Sequence, residues 1–200
     1  MGPGRQVSGP LAAARLSCGS CHTELPPTSK FCNECGAPVA QASRSAEYKQ
    51  VTVLFADVVR SMDLAATLDL ERLRDIMTEV VERSAAVARR FGGTVEHTGD
   101  GVMAIFGAPI ALEDHAFRAC KAALEIQDET DRLASEVHER DGIELRVRVG
   151  LNSGQVIAGD IGSGPMGYRA TGSPVGFAQR MESVAPSGGV ALSESTSPAR

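Results

Sequence analysis

From Lys49 onward the chain alternates between two hydrophobic periods, and their succession predicts the order of its elements. Residues 51–59 are apolar on both faces, as in a strand buried inside a sheet. Leu70, Leu73, Ile76, Met77, Val80, Val81, Ala88 and Phe91 recur at helical spacing, which predicts a long amphipathic helix stopped by Gly92-Gly93. Two short strands, residues 94–97 and 102–106, flank Gly99-Asp100-Gly101, a turn sequence of the hairpin kind. A second helix is predicted over residues 113–138, with Phe117, Cys120, Leu124 and Val137 on its buried side. Leu145, Val147 and Val149 alternate with Arg146 and Arg148, so this strand has one wet face. Residues 156–158 are predicted to pair with it, and a helix over 174–184 precedes a last strand at 190–192. The order β-α-ββ-α-ββ-α-β predicts an α/β sandwich with helices packed against a mostly antiparallel sheet.

Upstream the pattern vanishes. Residues 1–17, rich in Gly, Pro, Ala and Ser, carry no period and are expected to be disordered. Residues 18–36 hold four of the five cysteines, and residues 37–47, with Pro38 and small polar side chains, read as a linker. The 200 residues, 42% of them hydrophobic, suffice for one domain with a core plus a small appendage. A net charge of −5 leaves no electrostatic footprint for a polyanion, so no nucleic-acid partner is expected. No apolar run approaches the ~20 residues of a membrane span, and residues 1–17 lack a secretory segment. A cytoplasmic protein without a membrane partner is the expectation.

The cysteines form two tight pairs, Cys18-x2-Cys21 and Cys32-x2-Cys35, separated by ten residues. Each pair can place two thiolates on one metal ion, and four thiolates close a tetrahedral structural Zn²⁺ site. The alternative, a disulfide framework, belongs to secreted chains. Beside four thiolates His22 reads as a bystander, and Cys120, on an apolar helical face, as core filler.

Two carboxylates stand out by position: Asp57 at the end of a buried strand, and Asp100 in a hairpin turn. Aspartates brought together by neighbouring strands are a usual means of holding two divalent cations in phosphoryl transfer. A turn Asp satisfied by local backbone is the simpler reading of either residue alone. Around these residues lie Val53-Leu54-Phe55-Ala56-Asp57-Val58-Val59-Arg60-Ser61 and Thr98-Gly99-Asp100-Gly101-Val102-Met103-Ala104-Ile105-Phe106-Gly107. Further on come Arg148-Val149-Gly150-Leu151-Asn152-Ser153-Gly154 and Ala178-Gln179-Arg180-Met181-Glu182. In order and spacing the four stretches closely resemble the class III adenylate and guanylate cyclase homology domain, over residues 48–195. Residues 18–36 read as a zinc ribbon, and a ribbon placed before such a domain resembles bacterial members of that family.

The resemblance implies a ferredoxin-like nucleotidyl cyclase fold. It implies a cyclase that turns ATP or GTP into a 3′,5′-cyclic nucleotide and pyrophosphate with two Mg²⁺ or Mn²⁺ ions, family grounds favouring cAMP over cGMP. Asp57 and Asp100 would bind the two ions, with the Val58 carbonyl as a further ligand. Val58, Val59, Arg60 and Ser61 would supply backbone N–H groups to the triphosphate, and Arg180 would stabilise charge on the α-phosphate. The active site would be completed across a two-fold homodimer, aspartates from one chain facing the arginine helix of the other.

Some positions depart from the family pattern. Glu96 stands four residues before Asp100, where adenylate cyclases of the family carry Lys, and Glu there resembles guanylate cyclases. The segment 94–100 is one residue shorter than in close relatives, which leaves His97 as the other candidate. Arg169 takes the second base-contacting position, usually Asp or Thr, and Gly176 replaces the Asn that orients the ribose. One lost hydrogen bond of this kind typically costs ~10²-fold or more in rate. A second expectation therefore stands beside low cyclase activity: a nucleotide-binding or dimerising signalling module without turnover. Beyond Leu192 the family normally continues with another helix and a strand hairpin, so either a frayed end or an incomplete domain is expected.

Overall fold

The computed structural model describes residues 16–18, 20–26, 29, 31–37, 47–160 and 168–197. The chain divides into two compact units, Met1–Arg44 and Ser45–Arg200. In the first, β1 (Leu16–Ser17) pairs antiparallel with β2 (Glu24–Leu25). Leu16 and Ser17, expected to be unstructured, thus form a strand by backbone pairing with residues 24–25, whose Leu25 is buried with Cys18 and Cys32. The rest of the expected disordered terminus, residues 1–15, and residues 38–46 of the expected linker lie outside the described residues.

The second unit runs β3 (Glu47–Val58), α1 (Ser61–Ala65), α2 (Leu70–Arg90), β4 (Thr94–His97), β5 (Gly101–Phe106), α3 (His115–Asp141), β6 (Val147–Asp160), β7 (Tyr168–Thr171), α4 (Ser173–Val184) and β8 (Val190–Leu192). The sheet order is β4-β5-β3-β6-β7, with β8 beside β6. Every pairing is antiparallel except β6 with β8. This is the predicted α/β architecture.

The period-two pattern sorts side chains between two faces. Leu54, Ala56 and Val58 of β3 join Val102, Ala104 and Phe106 of β5 and Val147, Val149 and Leu151 of β6 against Ile76 and Val80 of α2 and Ile126 and Leu133 of α3. Each such aliphatic or aromatic side chain stabilises the fold by about 1.5–3 kcal/mol when buried, so this face holds the unit together. On the other face Val51, Val53, Met103 and Ile105 pack with Ala178 of α4. The Asp69 carboxylate caps α2 by accepting the Arg72 N–H at 2.9 Å, and Gly142 ends α3 at φ 69°.

Two expectations change. The strands foreseen at 145–149 and 156–158 are one continuous strand, β6, whose hairpin partner is β7. The polar run between them stays in the ladder because its side chains are satisfied. Ser153 Oγ lies 2.7 Å from Thr52 Oγ1, and Asn152 Nδ2 donates to the Pro174 carbonyl at 3.1 Å. In α3, Phe117 and Leu124 are 67% and 58% exposed instead of buried. The stripe that meets the core is Ala119, Ala122, Ala123, Ile126, Leu133 and Val137. At 3.6 residues per turn Phe117 and Leu124 fall on the side of the helix opposite that stripe, so they face outward.

Candidate active site

Asp57, one residue from the end of β3, lies opposite Gly101 of β5 on one side and Arg148 of β6 on the other. Asp100 precedes β5 in a tight turn closed by the Thr98 N–H donating to the Gly101 carbonyl at 3.0 Å. Gly99 holds φ 99° in that turn, a conformation glycine adopts without a Cβ clash. Gly101 permits the close approach of the two aspartates: a Cβ there would run into the Ala56 carbonyl and sit 3.0 Å from Asp57 Oδ1.

The carboxylates therefore converge at one end of the two central strands. Burial first, then the Asp100 and Glu182 charges, push Asp57 up to about 6, against the opposing pull of the Val58 N–H and of Arg148. Asp57 Oδ1 accepts the Val58 N–H at 2.9 Å, and Asp100 Oδ2 accepts the Ser61 hydroxyl at 2.9 Å. Among the described residues, neither aspartate forms an ion pair with a basic side chain. Two adjacent carboxylates lacking a counter-cation suit a hard, oxygen-seeking divalent ion.

The segment after Asp57 turns sharply beside them. Val58 is buried, the Val59 N–H donates to the Arg146 carbonyl at 2.9 Å, and Arg60 caps α1 in the left-handed conformation at φ 55°. A non-glycine residue held there is uncommon, and such residues concentrate at functional sites. The side chain of Arg60 is exposed, 3.9 Å from the Asp63 carboxylate.

Register puts Glu96 and His97 on opposite faces of the sheet. Glu96 lies opposite Met103, and Met103 opposite Phe55, so Glu96 leaves the sheet on the face that carries Asp57. His97 lies opposite Val102, whose side chain is in the α2–α3 core, and so belongs to the other face. Arg169 stands in β7 opposite Gly159, and its side chain is outside the described residues. Arg180, on α4, is exposed and lays its guanidinium over the Phe177 ring at 4.5 Å. The structure thus brings together Asp57, Asp100 and the turn through Ser61, and leaves Arg180 stacked on its own helix.

Sequence reasoning passed over two residues of this site. Glu182 is only 6% exposed and lies against Arg148, with Arg148 Nη2 2.9 Å from Glu182 Oε1. The signal was available: Pro174, Ala178 and Glu182 follow each other at four-residue spacing as the buried stripe of α4, and a carboxylate ending such a stripe needs a partner.

In the first unit the sulfurs of Cys18, Cys21, Cys32 and Cys35 lie within 4.8 Å of one another. The Cys21 and Ser20 amides point at Cys18 Sγ and hold that thiol below its usual value. Against the Ala37 amide, which pulls the other way, Cys21 and Cys18 push Cys35 up to about 12. Four thiolates this close require a cation to ionise together, which fits a tetrahedral metal centre. His22, at φ 59°, is exposed and stands outside the cluster.

Residues 43–199 match the family described as the adenylate and guanylate cyclase catalytic domain, and residues 17–39 match a zinc-ribbon domain. A membrane guanylyl cyclase of Dictyostelium discoideum is 28% identical over 152 residues, 75% of this chain and 10% of its own length. The guanylate cyclase domain of RhGC from Catenaria anguillulae, in complex with GTP, superposes with a TM-score of 0.67 at 30% identity, covering 76% of this chain and 82% of that one. The adenylyl cyclase CyaB of P. aeruginosa does so with a TM-score of 0.71 at 26% identity, covering 76% and 80%. Three of the curated relatives are far longer, the chain spanning 10%, 21% and 20% of their lengths. Among the described residues no helix is long and apolar enough to cross a membrane. On its match over residues 43–199, the chain belongs to the adenylate and guanylate cyclase catalytic domain family, with a zinc ribbon ahead of that domain.

Proposed function

We propose that the second unit is a homodimeric, metal-dependent purine nucleotide cyclase that converts ATP or GTP into a 3′,5′-cyclic nucleotide and pyrophosphate. The observation that carries this reading is the convergence of Asp57 and Asp100, with Ser61 tied to the second of them. Asp57 and Asp100, with the Val58 carbonyl, hold two Mg²⁺ or Mn²⁺ ions, which when bound neutralise the triphosphate and ease ionisation of the ribose 3′-hydroxyl. Of the four residues expected to orient the phosphates, Val58 and Val59 already spend their N–H groups on Asp57 and the Arg146 carbonyl, so the backbone N–H groups of Arg60 and Ser61 carry that role. Glu96, on the Asp57 face, contacts the base, with Arg169 at the second base position. A carboxylate accepts from the N1–H and amino group of guanine, so the face shared with Asp57 favours GTP over the ATP expected on family grounds. Arg180 reaches the α-phosphate of a nucleotide held by the second copy of the chain, which suits its exposure. In the first unit the four cysteines hold one structural Zn²⁺.

A second reading, a nucleotide-binding or dimerising module without turnover, is favoured by Gly176. It stands one turn before Arg180 on α4 and offers no side chain to the ribose. Incubating the purified chain with ATP or GTP and Mn²⁺ separates the two. Cyclic product, cGMP ahead of cAMP, is expected, and Asp57→Ala is expected to abolish it. No cyclic product from either nucleotide, together with nucleotide-dependent thermal stabilisation, would overturn the enzyme in favour of the module. Elemental analysis should return one zinc per chain.

A further inference from the structure

Asp57 and Arg148 are direct partners across β3 and β6. Such residues leave the sheet on the same face with Cβ atoms roughly 5 Å apart. Opposite charges so placed attract, and an arginine–carboxylate pair is among the strongest side-chain contacts. An Asp57–Arg148 ion pair is therefore the default outcome of this register, and it would occupy the carboxylate assigned above to a metal ion.

The structure avoids that outcome. Arg148 turns to α4, where Nη2 lies 2.9 Å from Glu182 Oε1 and Nη1 donates to the Ser183 carbonyl at 3.4 Å. The Glu182 carboxylate is brought there by the close seat of α4 on β6: a Cβ at Gly150 would run into the Glu182 backbone nitrogen. The contact is one of charge more than of alignment. Among the described residues, Arg148 Nε and Glu182 Oε1 are buried polar atoms without an aligned hydrogen-bond partner. Attraction to Glu182, the shorter of the two contacts, thus holds the guanidinium at α4 together with the Ser183 carbonyl.

We propose that Glu182 is a positioning residue that diverts Arg148 from Asp57 and so leaves the Asp57 carboxylate free for a divalent cation. The inference rests on the reading of Asp57 as a metal ligand. In the Glu182→Gln variant Arg148 turns back to its cross-strand partner and competes with the metal.

The test is a double-mutant cycle on the full chain, with Mn²⁺ binding read from loss of the free ion's electron paramagnetic resonance signal. E182Q is expected to weaken Mn²⁺ binding about tenfold, the effect of one close opposite charge on a carboxylate. In an R148Q background the same substitution should change Mn²⁺ binding less than about twofold, because nothing is left to divert. The double variant replaces an ion pair by two neutral amides and keeps the comparison within a folded protein, checked by its melting curve. Equal weakening in both backgrounds would overturn the proposal, since it would mean that Glu182 acts only through its own negative charge. A crystal structure of E182Q is expected to show Arg148 on Asp57, and Arg148 still against α4 would overturn it as well. Failure of the wild-type chain to bind Mn²⁺ would instead defeat the metal reading of Asp57, while the position of Arg148 in E182Q would still decide the diversion.

Discussion

Asp57 titrates near 3.8 in the unfolded chain and at about 6 in the fold, where burial and the Asp100 charge oppose its ionisation. Between those two values the folded state binds the extra proton, so stability falls as pH rises through the window and the loss is complete above it. Asp57 is only partly buried, and solvent screening reduces the penalty to about 1 kcal/mol. The metal-free Asp57→Asn variant is therefore expected to melt about 2–4 °C above wild type at pH 7.5 and close to it at pH 4. Mn²⁺ should narrow the difference by stabilising wild type alone. A metal-free Asp57→Asn that melts below wild type at neutral pH would contradict this account of the site. With the expected result, replacing this proposed metal ligand raises stability while abolishing turnover, as expected where a site holds like charges together.

The element that gathers most of the remaining chemistry is α4, which carries Gly176, Arg180 and Glu182. Its seat on β6 depends on Gly150, where a Cβ would lie 2.5 Å from the Ala178 carbonyl as well as against the Glu182 backbone. Backbone cannot yield as a flexible side chain can, so Gly150→Ala must push the helix outward. A destabilisation of about 1–3 kcal/mol is expected in denaturant midpoints. Turnover measured well below the melting temperature should fall more than tenfold, because a displacement on the order of 1 Å is enough to misplace a catalytic group. Full activity in a destabilised Gly150→Ala would show that the helix position is not critical.

For the molecule as a whole, the proposed division of roles between Asp57 and Arg180 would make assembly part of the chemistry. In the proposed homodimer one copy would offer the carboxylates and the other its exposed Arg180, which stacks on Phe177. Asp57→Asn and Arg180→Ala should each be inactive alone. Mixed in equal amounts, they should recover about a quarter of wild-type activity, since half of the random dimers are mixed and each has one intact site of two. No recovery after subunit exchange, verified by native mass spectrometry, would count against a shared site.

Much of this protein was legible along the chain because the relevant physics is local. The paired cysteines, the hydrophobic periods, the hairpin turn around Asp100 and the position of Asp57 at a strand end each depend on neighbours a few residues away. The choice of Glu96 over His97 for the Asp57 face followed from strand register, which no single strand contains. The exposure of Phe117 and Leu124 was set by which face of α3 meets the sheet, a choice the packing of other elements makes. That Arg148 should meet Glu182 rather than Asp57 was decided by the docking of α4, because a side chain with two possible partners goes to the one that packing brings within reach.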